Sequence, residues 1–302
     1  MKKNLTLGLT ALIFANLIWG VMTPMTKDLL NSGLIDGMTL SVVRMVSCTV
    51  LFWTLGFLIP DKYTHQKRLE KRDIIPLLVG SVLFIIGTQS LTNIGTQYTY
   101  AVDSAVCCCT TPIFTLTLGA IFYHHQFPPI LKIIGVFLGL AGILVFIFSS
   151  TENTEMHVTN PVLGDLLCVL SQAAGAVYLV FYVEIAGRYS PFTLMKWLYT
   201  FATICVLPFT FGDVISIPWA EMSGYHLFTI AFVVVFGSFI AYMLISLAQH
   251  CVTPTVIGMC NYGQPLTAAV VAVILGMAVF TFQSVIAILL IFVGIWLVIR
   301  QS

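Results

Sequence analysis

The 302-residue chain is 59% hydrophobic and 8% charged, with a formal net charge of +1 and a mean hydropathy of +1.00. A soluble domain carries about 25% Asp, Glu, Lys and Arg, so this composition cannot cover a water-exposed surface. Basic residues gather nowhere beyond positions 62–72, which excludes the electrostatic footprint of a nucleic-acid binder.

A helix that crosses the ~30 Å hydrocarbon core needs about 20 mostly apolar residues. Apolar runs broken by charge, Pro and Gly predict ten spans, at 7–26, 36–59, 74–94, 99–123, 130–148, 162–186, 192–211, 224–248, 253–278 and 282–299. The expected fold class is an all-α integral membrane protein of about ten transmembrane helices. Lys2 and Lys3 before the first run imitate a signal peptide, but no small-residue cleavage site follows, and the run is read as an uncleaved helix. With the N-terminus inside, Lys2, Lys3, the 62–72 loop, Lys132, Arg188, Lys196 and Arg300 all face the cytoplasm, as the positive-inside rule requires. Only Lys27 then lies at an outer end. Both termini are expected on the cytoplasmic side of a bacterial cytoplasmic (inner) membrane.

In span 2, Arg44 lies about eight residues, or roughly 12 Å, below the helix start. Either it faces a central cavity and attracts anions, or it snorkels outward or pairs with Asp36 or Asp103. Span 3 carries Gln89, Asn93, Gln97 and Tyr98, and amides are costly in hydrocarbon unless they find partners. Span 4 opens with Asp103, a candidate coupling residue that the N-terminal dipole of its helix would also explain. Cys107, Cys108 and Cys109 follow, but consecutive helical residues point about 100° apart and suit packing rather than one metal ion. Thr110, Thr111 and Pro112 come next, and His124-His125 ends the span. No metal site is predicted, because the ligand spacing is lacking. Span 5 holds a Gly135-x-x-x-Gly139 pattern that weakly suggests helix dimerisation, so the oligomeric state stays open. Span 6 contributes Asp165 at its start, Tyr178, and Glu184 in position to pair with Arg188 four residues on. Tyr242 and Gln249 lie in span 8, and Asn261, Tyr262, Gln264 and Pro265 in span 9.

Pro112 and Pro265 sit at matching depths of spans 4 and 9, and an offset of 153 residues superposes them. Five spans per half make the halves run oppositely through the bilayer, an inverted 5+5 repeat with domains at 1–150 and 151–302. Paired interruptions of this kind point to a central site, and the two prolines are expected to be hinges or kinks. Pro161, Pro191 and Pro254, by contrast, read as helix starts.

Trp19-Gly20 with Pro24 and Lys27, Arg44 in helix 2, Ala101 to Ala105 before Pro112 and Gly119-Ala120, and Gly263-Gln264-Pro265-Leu266 in helix 9 follow one another along the chain. In that order they resemble the drug/metabolite transporter superfamily, in its ten-helix EamA-type exporter family. The glycine spacing of Gly135, Gly139, Gly142 and Gly294 in helices 5 and 10 adds to the likeness. The chain departs from the family where a Glu usually follows each proline, having His125 and Met277 there, and it shows Gly37-Met38 in place of the usual proline.

The resemblance implies a secondary transporter that exports a small metabolite, such as an amino acid or drug-like compound, by alternating access. It further implies that helices 3, 4, 8 and 9 frame the substrate path. The expected substrate-binding residues are Trp19, Arg44, Gln89, Asn93, Gln97, Thr111, Tyr178, Tyr242, Asn261 and Gln264, with Trp19 and Tyr178 as aromatic walls. No cofactor is expected, and the implied partners are a small-molecule substrate and the lipid bilayer. Two other classes remain: a channel or scramblase, whose polar seams look alike, and a membrane-embedded enzyme without a recognisable catalytic motif such as His-Glu-x-x-His.

Overall fold

The apolar runs fold as helices in the computed structural model, which describes residues 4–60, 64–99, 104, 107, 109–124, 129–149, 160–267 and 282–300 and contains no strand among them. In chain order these are α1 (Leu5–Asn31), α2 (Gly37–Leu58), α3 (Lys71–Tyr98), α4 (Thr111–Gly119, prolonged by Ala120–His124) and α5 (Ile130–Ser149). The second half continues with α6 (Pro161–Phe181, extended by Val183–Arg188), α7 (Pro191–Ile215), α8 (Gly224–Gln249), α9 (Pro254–Cys260) and α10 (Phe282–Arg300). Six of them, α1, α2, α3, α6, α7 and α8, are each long and apolar enough to cross a bilayer, and shorter apolar helices complete the set. The protein is a multi-pass membrane protein.

Local chemistry sets the helix starts. Pro161, Pro191 and Pro254 each take the first helical position, where a missing amide hydrogen costs nothing. Asn160 and Ser190 accept the amides of Leu163 and Thr193, each at 3.2 Å. Two helices overrun their predicted ends. α1 continues to Asn31, which takes Lys27 inside the helix. α3 reaches Tyr98 although the stretch from Thr88 is polar, because Gln89, Ser90, Asn93 and Thr96 turn into the protein interior and not toward lipid.

The main helix pairings are related by exchange of the halves. α1 lies on α8 as α6 lies on α3, and α2 pairs with α7, α4 with α9 and α5 with α10. The detail repeats as well: a wide π-helical segment interrupts α3 at Val82–Gly87 and α8 at Val233–Ile240, and the 153-residue offset carries one onto the other. Such π segments widen a helix and free backbone groups, and they recur at functional sites.

The two mid-span prolines do not kink continuous helices, as the sequence suggested; they follow breaks. A turn at Cys109–Thr110, closed by Thr110 N donating to Cys107 O at 3.0 Å, precedes α4, which places Pro112 in its first turn. α9 stops at Cys260, turns at Asn261–Tyr262, and becomes helical again over 263–267, where Pro265 lies. Proline has no amide hydrogen to continue a ladder but fits the first turn of a new one. Asp103, Cys108, His125 and Met277 lie outside the described residues.

The glycine spacing in α5 is used within the chain. A methyl group added at Gly135 would stand 2.8 Å from the Gly294 carbonyl oxygen, and one at Gly294 would stand 2.6 Å from that of Gly135. Backbone therefore lies against backbone where α5 crosses α10. Gly294→Val is expected to cost about 1–3 kcal/mol through overpacking, read as a lower unfolding temperature in detergent. Gly212→Ala, where an added methyl meets nothing within 4 Å, is expected to stay within about 0.5 kcal/mol of wild type.

Candidate functional site

Between the halves lies a cavity of about 130 Å³ at the level of both helix breaks. α1 contributes Trp19 and Met22, α2 Arg44, α3 Phe84 to Asn93, α4 Thr111, α6 Gln172 to Leu179, α8 Tyr242 and Ile245, and the α9 segment Ile257, Asn261 and Gln264. A second space of about 100 Å³ shares Trp19, Met22, Thr92, Asn93 and Gln264 and runs on past Thr26, Thr96 and Ser104. Together they form a polar seam leading toward the end of the bundle where α1 joins α2.

Arg44 organises one wall. It is 3% exposed, and its Nε donates to Ser238 Oγ at 2.7 Å while Nη1 donates to Asn93 Oδ1 at 3.4 Å. Ser238 in turn donates to Val233 O at 3.0 Å, five residues back in the π segment. Among the described residues no carboxylate lies within 4 Å of the guanidinium, the two described ion pairs being Arg72–Glu70 and Arg188–Asp73. Asp36 is instead committed to capping α2, accepting from Met38 N at 2.8 Å and Thr39 N at 2.9 Å. Arg44 is thus neither snorkelled outward nor neutralised by Asp36.

The π segment of α8 supplies carbonyls that the surrounding helices use. Trp19 Nε1 donates to Gly237 O at 2.9 Å, Tyr199 OH to Ser238 O at 3.2 Å, and Cys48 Sγ approaches Val234 O at 3.7 Å. Gln89 Nε2 donates to Tyr199 OH at 2.8 Å, and Asn93 Nδ2 to Ser41 Oγ at 2.8 Å. On the opposite wall Thr111 Oγ1 donates to Gln172 Oε1 at 2.7 Å and lies 3.5 Å from Asn261 Nδ2. Two buried carbonyl oxygens of the lining, Gln89 Oε1 and Asn261 Oδ1, have no hydrogen-bond partner among the described residues.

The apolar side of the cavity is aromatic. The Trp19 ring meets the Tyr242 ring edge-on at 5.6 Å, and Phe84 meets Tyr242 at 5.1 Å.

Of the residues singled out in the sequence, the structure brings Trp19, Arg44, Gln89, Asn93, Thr111, Tyr242, Asn261 and Gln264 to this one cavity. It places two elsewhere. Gln97 is exposed near the end of α3, where its Oε1 accepts Gly37 N at 3.1 Å. Tyr178 is fully buried behind the wall, stacked on Phe84 at 4.1 Å. The expected Glu184–Arg188 pair is also absent: Arg188 binds Asp73 across the bundle at 3.0 Å, and Glu184 is exposed.

Sequence reasoning missed Ser238, Thr88, Thr92 and Gln172. For Gln172 a signal existed, since the same offset of 153 that relates the prolines relates Trp19 to Gln172. It also relates Met22 to Gly175, Gln89 to Tyr242, Thr92 to Ile245 and Thr111 to Gln264. The cavity is lined in repeat-related pairs.

The bundle has counterparts among known proteins. A solved crystal structure superposes with a TM-score of 0.72, covering 96% of this chain and 95% of the other at 16% identity, which shows a shared fold. Two uncharacterized transporters of Archaeoglobus fulgidus are similar in sequence. One is 22% identical over 80% of this chain and 79% of its own length, the other 24% identical over 69% and 66%. The model of the EamA-like transporter family matches residues 6–148 and again residues 162–300. Matched twice and over nearly its whole length, the chain belongs to the EamA-like transporter family and is a membrane transporter.

Proposed function

We propose that the protein is a secondary active transporter that exports a small carboxylate-bearing metabolite, of the size and polarity of an amino acid, by alternating access across a bacterial cytoplasmic membrane. The observation that carries this reading is Arg44, a buried cation on the cavity wall whose partners among the described residues, Ser238 and Asn93, are neutral. A central Arg costs about 2.5–3.5 kcal/mol on insertion scales, and a carboxylate offers it short, charge-assisted hydrogen bonds. The orphaned oxygens Gln89 Oε1 and Asn261 Oδ1 suit an ammonium or hydroxyl donor on the same ligand. Trp19, Phe84 and Tyr242 suit its apolar body.

A latch at one end of the bundle supports alternating access. Asp73, 2% exposed, accepts from Arg188 Nη1 at 3.0 Å and from Tyr189 OH at 2.6 Å. Lys67 Nζ donates to Arg188 O at 3.3 Å, and Lys67 N to Thr193 Oγ1 at 3.1 Å. These bonds tie the α2–α3 connection and the start of α3 to the end of α6 and the start of α7, hence one half of the chain to the other. Burial first, and donation to Asp73 second, push the Tyr189 phenol above its usual value, so it keeps the proton it donates across the physiological range. At the opposite end Lys27 Nζ donates to Thr96 O at 2.6 Å and Thr99 O at 3.1 Å, while Thr99 Oγ1 donates to Asp165. In the proposed cycle the two ends open in turn, and the Lys- and Arg-rich latch end is cytoplasmic, as the charge asymmetry favours.

Arg44→Met is expected to abolish saturable, counter-substrate-stimulated flux in liposomes while leaving the unfolding temperature unchanged or raised, since it removes a buried charge. The substrate comes from comparing metabolites released by cells overproducing wild type and Arg44→Met. Flux that survives the substitution, or that never saturates, sinks the carrier reading. Tyr189→Phe removes one buried hydrogen bond of the latch, worth about 0.5–1.5 kcal/mol. A cysteine replacing Gln172 in an otherwise cysteine-free chain should then react roughly 2–10 times faster with an impermeant thiol reagent applied from the latch side. An unchanged rate would remove the latch from the gating cycle.

A further inference from the structure

A second pocket, of about 210 Å³, lies outside the central cavity and shares no lining residue with it. The seam between them is closed at the α4–α9 crossing, where a methyl added to Gly258 would stand 3.1 Å from both Pro112 Cα and Thr115 Oγ1. The pocket gathers the ends of three helices at one level: Lys132 from the first turn of α5, Val183 just beyond α6, and Thr253 and Pro254 at the start of α9. Arg188 of the latch follows Val183 by little more than a helical turn, so this level is near the bundle's end, at the depth of lipid headgroups.

The lining divides sharply in character. At its polar side the Lys132 ammonium is half-buried with no hydrogen-bond or ion-pair partner among the described residues, and Thr253 Oγ1 is buried and unpartnered. The other side is apolar, made by Leu116 and Gly119 of α4 with Val180 and Val183. Leu116 and Gly119 are half-buried and Val183 exposed on the outer surface of the bundle, where the neighbour is lipid. An unpaired cation and a free hydroxyl at headgroup depth, continuous with a lipid-facing apolar slot, call for a ligand with an anionic head and a hydrocarbon tail. Basic pockets between transmembrane helices take anionic headgroups for this reason.

We propose that this pocket binds an anionic phospholipid, with its phosphate on Lys132 and Thr253 and an acyl chain along Leu116, Val180 and Val183. The test is the unfolding temperature of the detergent-purified full chain, titrated with short-chain phosphatidylglycerol, with phosphatidylcholine of the same chain length, and with inorganic phosphate. Phosphatidylglycerol is expected to raise it saturably, and the other two are not. Lys132→Ala should raise the half-saturating phosphatidylglycerol concentration about fivefold, with Lys132→Arg retaining most of the affinity. Gly119→Leu leaves the cation in place and puts a side chain where an added Cβ meets nothing within 4 Å; filling the slot should weaken the lipid effect without loss of fold. Unchanged half-saturation in both Lys132→Ala and Gly119→Leu would overturn the proposal, and so would an equal shift with inorganic phosphate, which would make the ligand a free anion. Should Lys132→Ala not fold, Lys132→Arg and Gly119→Leu decide the matter.

Discussion

Hydrocarbon offers the peptide backbone no hydrogen-bond partner, so a spanning helix that releases a carbonyl must find a donor for it within the protein. This chain releases carbonyls at one depth, through the π segments of α3 and α8 and the breaks before α4 and after α9. The donors to the α8 segment arrive from other helices: Trp19 from α1 to Gly237 O and Tyr199 from α7 to Ser238 O. Each of these bonds fixes a helix–helix register. The polar seam is therefore a consequence of how the helices are held together, and the cavity forms where the irregular stretches meet.

Arg44 depends on the same irregularity. Its Nε bonds Ser238 Oγ, and Ser238 is free to accept because its own hydroxyl proton goes to the π-segment carbonyl of Val233. In a regular helix that bond from Ser238 would reach the carbonyl four residues back, turning the hydroxyl and moving the guanidinium with it. The charge is thus positioned by a backbone defect on the facing helix, and its described partners orient it without neutralising it. Arg188 differs, being closed onto the Asp73 carboxylate, which also accepts from Tyr189 OH.

Hydropathy reveals the helices, because the bilayer imposes length and apolarity on each one separately. Polar residues within the apolar runs pointed to part of the cavity lining, since an amide such as Gln89, Asn93 or Asn261 at mid-span has few places to go. Sequence reasoning misassigned contacts that depend on long-range geometry. Arg188 had a local partner of the right sign in Glu184 four residues away, but a surface pair of that kind is worth only about 0.3–0.5 kcal/mol, and the buried Asp73 on another helix won. Tyr178 and Gln97 look like lining by composition, but one faces away from the cavity behind Phe84 and the other leaves the spanning region as a cap. Neither rotation about a helix axis nor a π segment is written in a hydropathy profile. Ser238 was invisible for that reason.

The repeat sharpens the contrast between scaffold and chemistry. Backbone devices recur in both halves: the π segments, the breaks before Pro112 and Pro265, and the starts of α2 and α7, where Asp36 and Ser190 cap their helices three residues before Thr39 and Thr193. Side-chain chemistry does not recur. Aligning those caps sets Arg44 opposite Leu198, which is fully buried and apolar, and the pairs around the cavity match Trp19 with Gln172 and Gln89 with Tyr242. Among the described lining residues the charge, Arg44, comes from the first half. A carboxylate ligand of the kind proposed would meet that charge on one wall and neutral amides on the other, so its orientation would be set by the half that diverged and not by the frame the two halves share.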